Sequence, residues 1–167
     1  LIAGRFRIEA RIGEGGMADV YRCVDIATNT PIALKLLKPG IAEDAQAVAR
    51  LRREGEVLSK LAHPAIVRVE TYGKLEDERI FVAMELLEGE TLGARMRRES
   101  KLSPESLTPI LTGACAGLAA AHRMDVVHRD LKPDNIFLCG DPVQVKLLDF
   151  GISKVFGLAK LTRTGQI

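Results

Sequence analysis

The sequence predicts an α+β chain in two parts: a five-stranded antiparallel sheet with one helix, then a mainly helical portion. Three observations predict it. Five short runs before residue 87 alternate apolar and polar residues, as half-buried strands do. The stretch 44–61 and a longer one from Ser103 to Arg123 instead carry apolar residues at three- and four-residue spacing, the period of a helix. Glycine and proline clusters punctuate the intervals between these runs.

Composition narrows the functional classes. The chain of 167 residues makes one domain or two small lobes. Its 47% apolar content is that of a globular protein and argues against disorder. A formal net charge of +2 gives no global basic field, so no nucleic-acid partner is expected. The 3 cysteines, Cys23, Cys115 and Cys139, form no CxxC pair and read as reduced thiols in a cytoplasmic protein. No apolar run reaches the roughly 20 residues that span a bilayer, so no membrane contact is expected within this segment. The chain starts at Leu1 without a signal-peptide pattern. It is expected to be the cytoplasmic part of a longer protein, free or membrane-anchored.

In chain order, Arg5 to Ile12 reads as a strand with Phe6, Ile8 and Ala10 on one face. Gly13-Glu14-Gly15-Gly16-Met17-Ala18 is a glycine-rich turn, and a second strand runs from Val20 to Val24. Such a turn is an ordinary hairpin loop or a backbone cradle for a phosphate chain. No helix follows it directly, so it is not a dinucleotide fingerprint. Thr30 to Leu37 is the third strand, and Lys35 shares a face with Ala33. In the helix expected over 44–61, Glu54 borders the stripe that contains Leu51 and Leu58. It serves either a surface pair with Arg50 or an inward role. Ala65 to Tyr72 and Arg79 to Leu86 complete the sheet around a charged turn at Lys74 to Glu78. A short helix begins near Thr91. Ser103-Pro104 caps a longer one with Leu107, Leu111, Ala114, Leu118 and Ala121 on its stripe.

The densest polar stretch comes next. His128-Arg129-Asp130-Leu131-Lys132-Pro133-Asp134-Asn135 lies between apolar Val126-Val127 and Ile136-Phe137-Leu138. A polar loop between two buried anchors is a common way to present a site. Cys139-Gly140-Asp141-Pro142 signals a turn, and Val143 to Leu147 alternates as a strand. The hairpin would bring Asn135 near Asp149 of Asp149-Phe150-Gly151. Oxygen donors so placed suit magnesium and a phosphate chain.

HRDLKPDN followed by DFG resembles the catalytic core of serine/threonine protein kinases, and Gly-Gly-Met resembles their bacterial, eukaryotic-like branch. The resemblance implies a two-lobed fold, with 1–87 as small lobe and hinge. Residues 88–167 would be the first part of the large lobe, with the catalytic loop and the start of the activation segment. It implies ATP and magnesium as cofactors and a protein serine or threonine as acceptor. Asp130 and Lys132 would act on the transferring group, and Lys35 would hold phosphates with Glu54 as its ion-pair partner. Asn135 and Asp149 would hold the metal. The turn from Gly13 to Ala18 would cover the nucleotide, although Ala18 stands where the family has a third glycine. Glu85 and Leu87 would meet the adenine edge, with Met84 behind it. Ile12, Val20, Ala33, Val67, Phe137 and Leu148 would line the base. Arg129 would receive a phosphate from the activation segment, where Thr162 and Thr164 are expected autophosphorylation sites. His128 and Phe150 are expected to be packing residues. The resemblance spans about the first two thirds of the family's domain. The stripe from Leu107 to Ala121 is therefore expected to stay partly uncovered and to drive self-association. Two rival readings are a nucleotide-binding pseudokinase or scaffold, and a small-molecule kinase of similar fold. Lys132-Pro133 and the intact Asp-Phe-Gly favour a protein kinase.

Overall fold

The computed structural model describes residues 1–39 and 61–150. Residues 44–60 of the expected helix, with Glu54, and the threonines Thr162 and Thr164 lie outside them. The described residues fall into two compact units, one of residues 1–39 and 68–87, the other of 61–67 and 88–150.

The first unit is an antiparallel sheet. Its strands are β1 (Phe6–Glu14), β2 (Ala18–Asp25), β3 (Thr30–Leu37), β4 (Val69–Lys74) and β5 (Ile80–Glu85), in the order β1-β2-β3-β5-β4. Alternation along β3 sends Ile32, Leu34 and Leu36 into a core shared with Phe6, Cys23, Phe81 and Ala83. The rings of Phe6 and Phe81 meet edge to face at 5.7 Å. Ala33 and Lys35 stand on the other face of the strand, as the period of two requires.

Two expectations for this unit change. The face drawn through Phe6, Ile8 and Ala10 is buried only at Phe6, while Ile8 is 42% exposed. β1 is an edge strand with register shifts between Ile8 and Ala10 and between Arg11 and Gly13. Such irregularities break simple alternation. The single strand expected from Ala65 to Tyr72 is divided. Val69 onward pairs with β5, whereas Ile66 bridges in parallel to Leu147 of the second unit.

The turn between β2 and β3 is closed by Asp25. Its carboxylate accepts from the Ala27 N–H at 3.1 Å and from Arg5 at 2.9 and 2.6 Å, and Asn29 takes the left-handed conformation. The Arg5 guanidinium, helped by the Ala27 N–H and opposed by desolvation, lowers the buried Asp25 carboxyl to about 2. Because the folded value lies below the ordinary carboxylate value of about 3.9, this contribution is present above that value. It is lost as pH falls toward 2. Asp25→Asn should therefore lower the urea midpoint at neutral pH. The gap to wild type should close as pH falls through that window. A gap that is constant with pH would show that the ion pair contributes nothing through its charge.

The second unit has a sheet of β6 (Gly89–Thr91), β7 (Ile136–Cys139) and β8 (Gln144–Leu147), in that order. Helix α1 (Leu92–Arg98) starts at Thr91, whose hydroxyl accepts from the Ala94 N–H. Helix α2 (Pro104–His122) starts at Ser103, as its Ser-Pro pair predicts. α2 lies on β8, and its buried residues include Ile110, Ala114, Gly117 and Ala121. Leu111, expected on that stripe, is 48% exposed. Ala114, Leu118 and Ala121 face the core as expected, and glycines complete that face, because Gly113 meets Val145, and Gly117 meets Leu147 and Ala65. No helix among the described residues is long and apolar enough to cross a membrane.

Candidate active site

The loop that leads out of α2 is fixed by backbone bonds. The Val126 N–H donates to Ala121 C=O and the Asp125 N–H to His122 C=O, both at 3.0 Å, with Asp125 left-handed. This is a Schellman closure, and it turns the chain sharply off the helix. His128 follows and is buried. Its Nε2–H donates to Leu148 C=O at 2.8 Å, which leaves Nδ1 to accept from the Asp130 N–H at 3.4 Å. Its ring lies 4.5 Å from that of Phe150. His128 thus ties the loop to the segment that carries Asp149.

Three predicted side chains converge here. The Asp130 carboxylate accepts from Lys132 Nζ at 2.9 Å and from Asn135 Nδ2 at 3.1 Å, both on Oδ2. Asn135 Nδ2 also donates to the Asp130 C=O at 2.8 Å. The bond from Lys132, opposed by partial burial, holds the Asp130 carboxyl below its ordinary range. Asn135 is buried at the end of a 3-10 turn, Pro133–Asn135. The register of β7 on β8 continues past Leu147, so the Leu148 N–H donates to Asn135 C=O at 2.9 Å. Asp149 is the next residue. Arg129 and Asp149 both hold positive φ, 64° and 57°. For residues with side chains this is uncommon, and it marks places where surrounding structure over-determines the backbone. Phe137 and Leu148 are half-buried in the same unit, and Val67 is buried there.

In the first unit Lys35 is half-buried on β3, opposite Val20 of β2 and Val82 of β5. Ala33 pairs with Met84. The glycine-rich turn is tighter than expected. Gly13 and Glu14 pair with Val20 and Asp19, so Gly15, Gly16 and Met17 alone connect the strands, and the Gly15 N–H donates to Ala18 C=O at 2.9 Å. Ile12 and Met17 are exposed, whereas Ala18 is buried. Glu85 ends β5, and its carboxylate accepts from the Arg68 N–H at 2.8 Å. Leu87 is half-buried two residues on. The anchoring of Glu85 by its own side chain was not foreseen, since nothing in a lone glutamate signals it.

Residues 6–165 match the protein kinase domain. The chain belongs to the protein kinase family. Among kinase relatives, the serine/threonine-protein kinase PknL of Mycobacterium tuberculosis is 38% identical over 167 residues, covering 100% of this chain and 41% of that protein. The serine/threonine-protein kinase pkn3 of Myxococcus xanthus is 39% identical over 157 residues, 92% of this chain and 29% of that kinase. The crystal structure of the M. tuberculosis PknI kinase domain superposes with a TM-score of 0.82 at 30% identity, over 92% of this chain and 60% of that one. The chain spans less than half the length of these curated kinase relatives. The kinase fold expected from the sequence is the fold found, with its five-stranded antiparallel sheet in the first unit. Use of ATP and a divalent metal is general in this kinase family.

Proposed function

We propose that this chain carries the phosphoryl-transfer centre of a serine/threonine protein kinase that uses ATP and magnesium. The observation that carries the reading is the Asp130 carboxylate, held below its ordinary range and oriented by Lys132 and Asn135. Both bonds end on Oδ2, so Oδ1 is the oxygen that meets the hydroxyl of a protein serine or threonine. As the hydroxyl oxygen of the serine or threonine bonds to the γ-phosphorus and the bond from that phosphorus to ADP breaks, the hydroxyl proton passes to Asp130 Oδ1. Lys132 offsets charge on the transferring group.

The donor set fits a hard divalent cation. Asn135 turns its amide nitrogen toward Asp130, which presents its oxygen to a ligand, and Asp149 adds a carboxylate. A bound magnesium ion would neutralise negative charge on the phosphates. Lys35 contacts phosphates in this reading, paired with Glu54 as the resemblance implies. The glycine-rich turn meets them through the N–H groups of Gly16 and Met17, since the Gly15 N–H closes the turn on Ala18 C=O. The Glu85 C=O and Leu87 N–H bind the adenine edge, with Met84, Ala33, Val20 and Ile12 of the same unit as apolar lining. The reading places the chain in the cytoplasm, where ATP is available, with autophosphorylation at Thr162 or Thr164.

Radiolabelled ATP, a generic protein substrate and magnesium test it in the full-length protein. Label should appear on serine or threonine. Asp149→Asn should lower turnover by roughly 100-fold while adenosine affinity changes little, since the carboxylate serves the metal and the hinge serves the base. Nucleotide binding without transfer in the wild type would identify a pseudokinase. Equal losses of turnover and adenosine binding would make Asp149 a structural residue.

A further inference from the structure

The ladder between β4 and β5 ends on an exchange of acceptors. Register runs from Lys74 opposite Ile80 to Thr71 opposite Ala83, then shifts, and resumes at Val69 opposite Met84. Next come Arg68 and Glu85, both in the first unit. Their first bond is regular, with the Glu85 N–H on Arg68 C=O at 3.0 Å. In a hydrogen-bonded antiparallel pair the second bond runs back, from the N–H of the one residue to the C=O of the other. Here the Arg68 N–H donates instead to Oε1 of the Glu85 carboxylate, at 2.8 Å. The side chain of Glu85 therefore takes the place in the ladder that its own main-chain carbonyl would hold. The Arg68 guanidinium is engaged on Glu70 at 2.6 Å, so the link to Glu85 is made by the backbone of residue 68.

We infer that the Glu85 side chain is a positioning group that selects the base: by taking the Arg68 N–H, it keeps the Glu85 C=O out of the ladder and turned to the amino group of adenine. The inference rests on the reading above in which that carbonyl meets the adenine edge. No displacement has to travel through the fold, because carboxylate and carbonyl belong to one residue and compete for one donor. Without the carboxylate, the acceptor that the ladder offers to the Arg68 N–H is the Glu85 C=O. The regular pair then closes, and the carbonyl turns toward β4. Base selection suffers more than binding in general. The 6-amino group of adenine donates to a carbonyl, whereas the 6-oxo group of hypoxanthine meets it acceptor to acceptor. Glutamine at position 85 still presents an oxygen to the Arg68 N–H, so the exchange does not need the charge.

The test measures adenosine and inosine binding by calorimetry, in the full-length protein at a temperature where every variant is folded by circular dichroism. The ratio of the two affinities reads base selection. Wild type should favour adenosine by more than about 10-fold, as a site built around a hydrogen-bond donor of its ligand does. Glu85→Ala should reduce that ratio by about 10-fold, the effect of one misdirected hydrogen bond. Glu85→Gln should keep the wild-type ratio, and so should Arg68→Ala, which retains the N–H. If Glu85→Ala does not fold, Glu85→Asp, whose carboxylate ends one methylene short of Arg68, carries the same expectation. A side chain that only braces the sheet would lower the melting temperature of Glu85→Ala and leave the ratio at its wild-type value, which overturns the inference. So does a Glu85→Gln as unselective as Glu85→Ala. The wild type separates the two layers. If it favours adenosine and Glu85→Ala does so equally, only the side-chain role is wrong. If the wild type shows no preference, the adenine-edge reading falls, and the inference with it.

Discussion

Asp130→Asn in the full-length protein is expected to lower phosphoryl transfer by roughly 100- to 10,000-fold, the range that loss of a positioned proton acceptor produces. Folding and nucleotide binding should survive. The local geometry separates these effects. Lys132 Nζ and Asn135 Nδ2 both donate to a single Asp130 oxygen, Oδ2. An asparagine can place its own oxygen there and keep both bonds. Its amide nitrogen then occupies the Oδ1 position, where it cannot take a proton from a hydroxyl. The backbone bonds from Asp130 N–H to His128, and from Asn135 to the Asp130 C=O, do not involve the exchanged atom. The variant thus removes chemistry and leaves packing. Single-turnover rates with saturating magnesium and ATP, compared with ADP affinity, check it. A rate within 10-fold of wild type would remove Asp130 from the chemical step, because proton transfer to a positioned group is worth at least about 100-fold.

Much of this centre was legible because its signals are local. The HRDLKPDN stretch and the turn after Leu138 place Asn135 and Asp149 on neighbouring strand ends through one short hairpin, and the register bears that out. Ser103-Pro104 announced α2 for a similar reason, since capping is a matter of adjacent residues. The failures lie in strand partners, in elements too short to show a period, and in close approach. Ala65 to Tyr72 reads as one strand by alternation, yet Val67 donates to Leu147 C=O and Val69 pairs with Met84. A period-two pattern cannot say which neighbour each half will choose. β6 has three residues, too few for any period to register. The inward face of α2 was read correctly at Ala114, Leu118 and Ala121 and wrongly at Leu111, and Gly117 was missed because hydrophobicity marks leucines. The closest approach belongs to Gly117, whose contribution is the absence of a side chain. Close approach of Gly93 to Asp134 was unreadable on the same ground.

The glycine contact on that face yields the largest expected change in stability. Gly117→Val should lower the unfolding free energy by about 2–3 kcal/mol, the combined effect of overpacking and a β-branched residue in a helix. Even a single added carbon at Gly117 would stand 2.9 Å from Leu147 Cδ1 and 3.0 Å from Ala65 O. The leucine methyl can move aside. The carbonyl cannot, because Ala65 O already accepts from the Leu147 N–H at 2.8 Å and is part of the bridge between that segment and β8. Gly117→Ala sets two terms against each other: alanine gains about 1 kcal/mol of helix propensity and loses a similar amount to crowding. Valine adds bulk on top of that contact, and the helix must shift away from β8. The control is Ala116→Val, on the exposed side of the same helical turn, where propensity alone should cost about 0.5 kcal/mol. Urea midpoints of the two variants, at equal slopes, measure the difference. The consequence extends beyond stability, because Leu147 stands two residues before Asp149 and its neighbour Leu148 binds both His128 and Asn135. A helix pushed off β8 disturbs the strand from which the proposed metal carboxylate projects. Gly117→Val should then weaken magnesium-dependent ADP binding as well, while Ala116→Val leaves it intact. Equal midpoints for the two variants would show that α2 can move on β8 without cost, and that the glycine face is incidental.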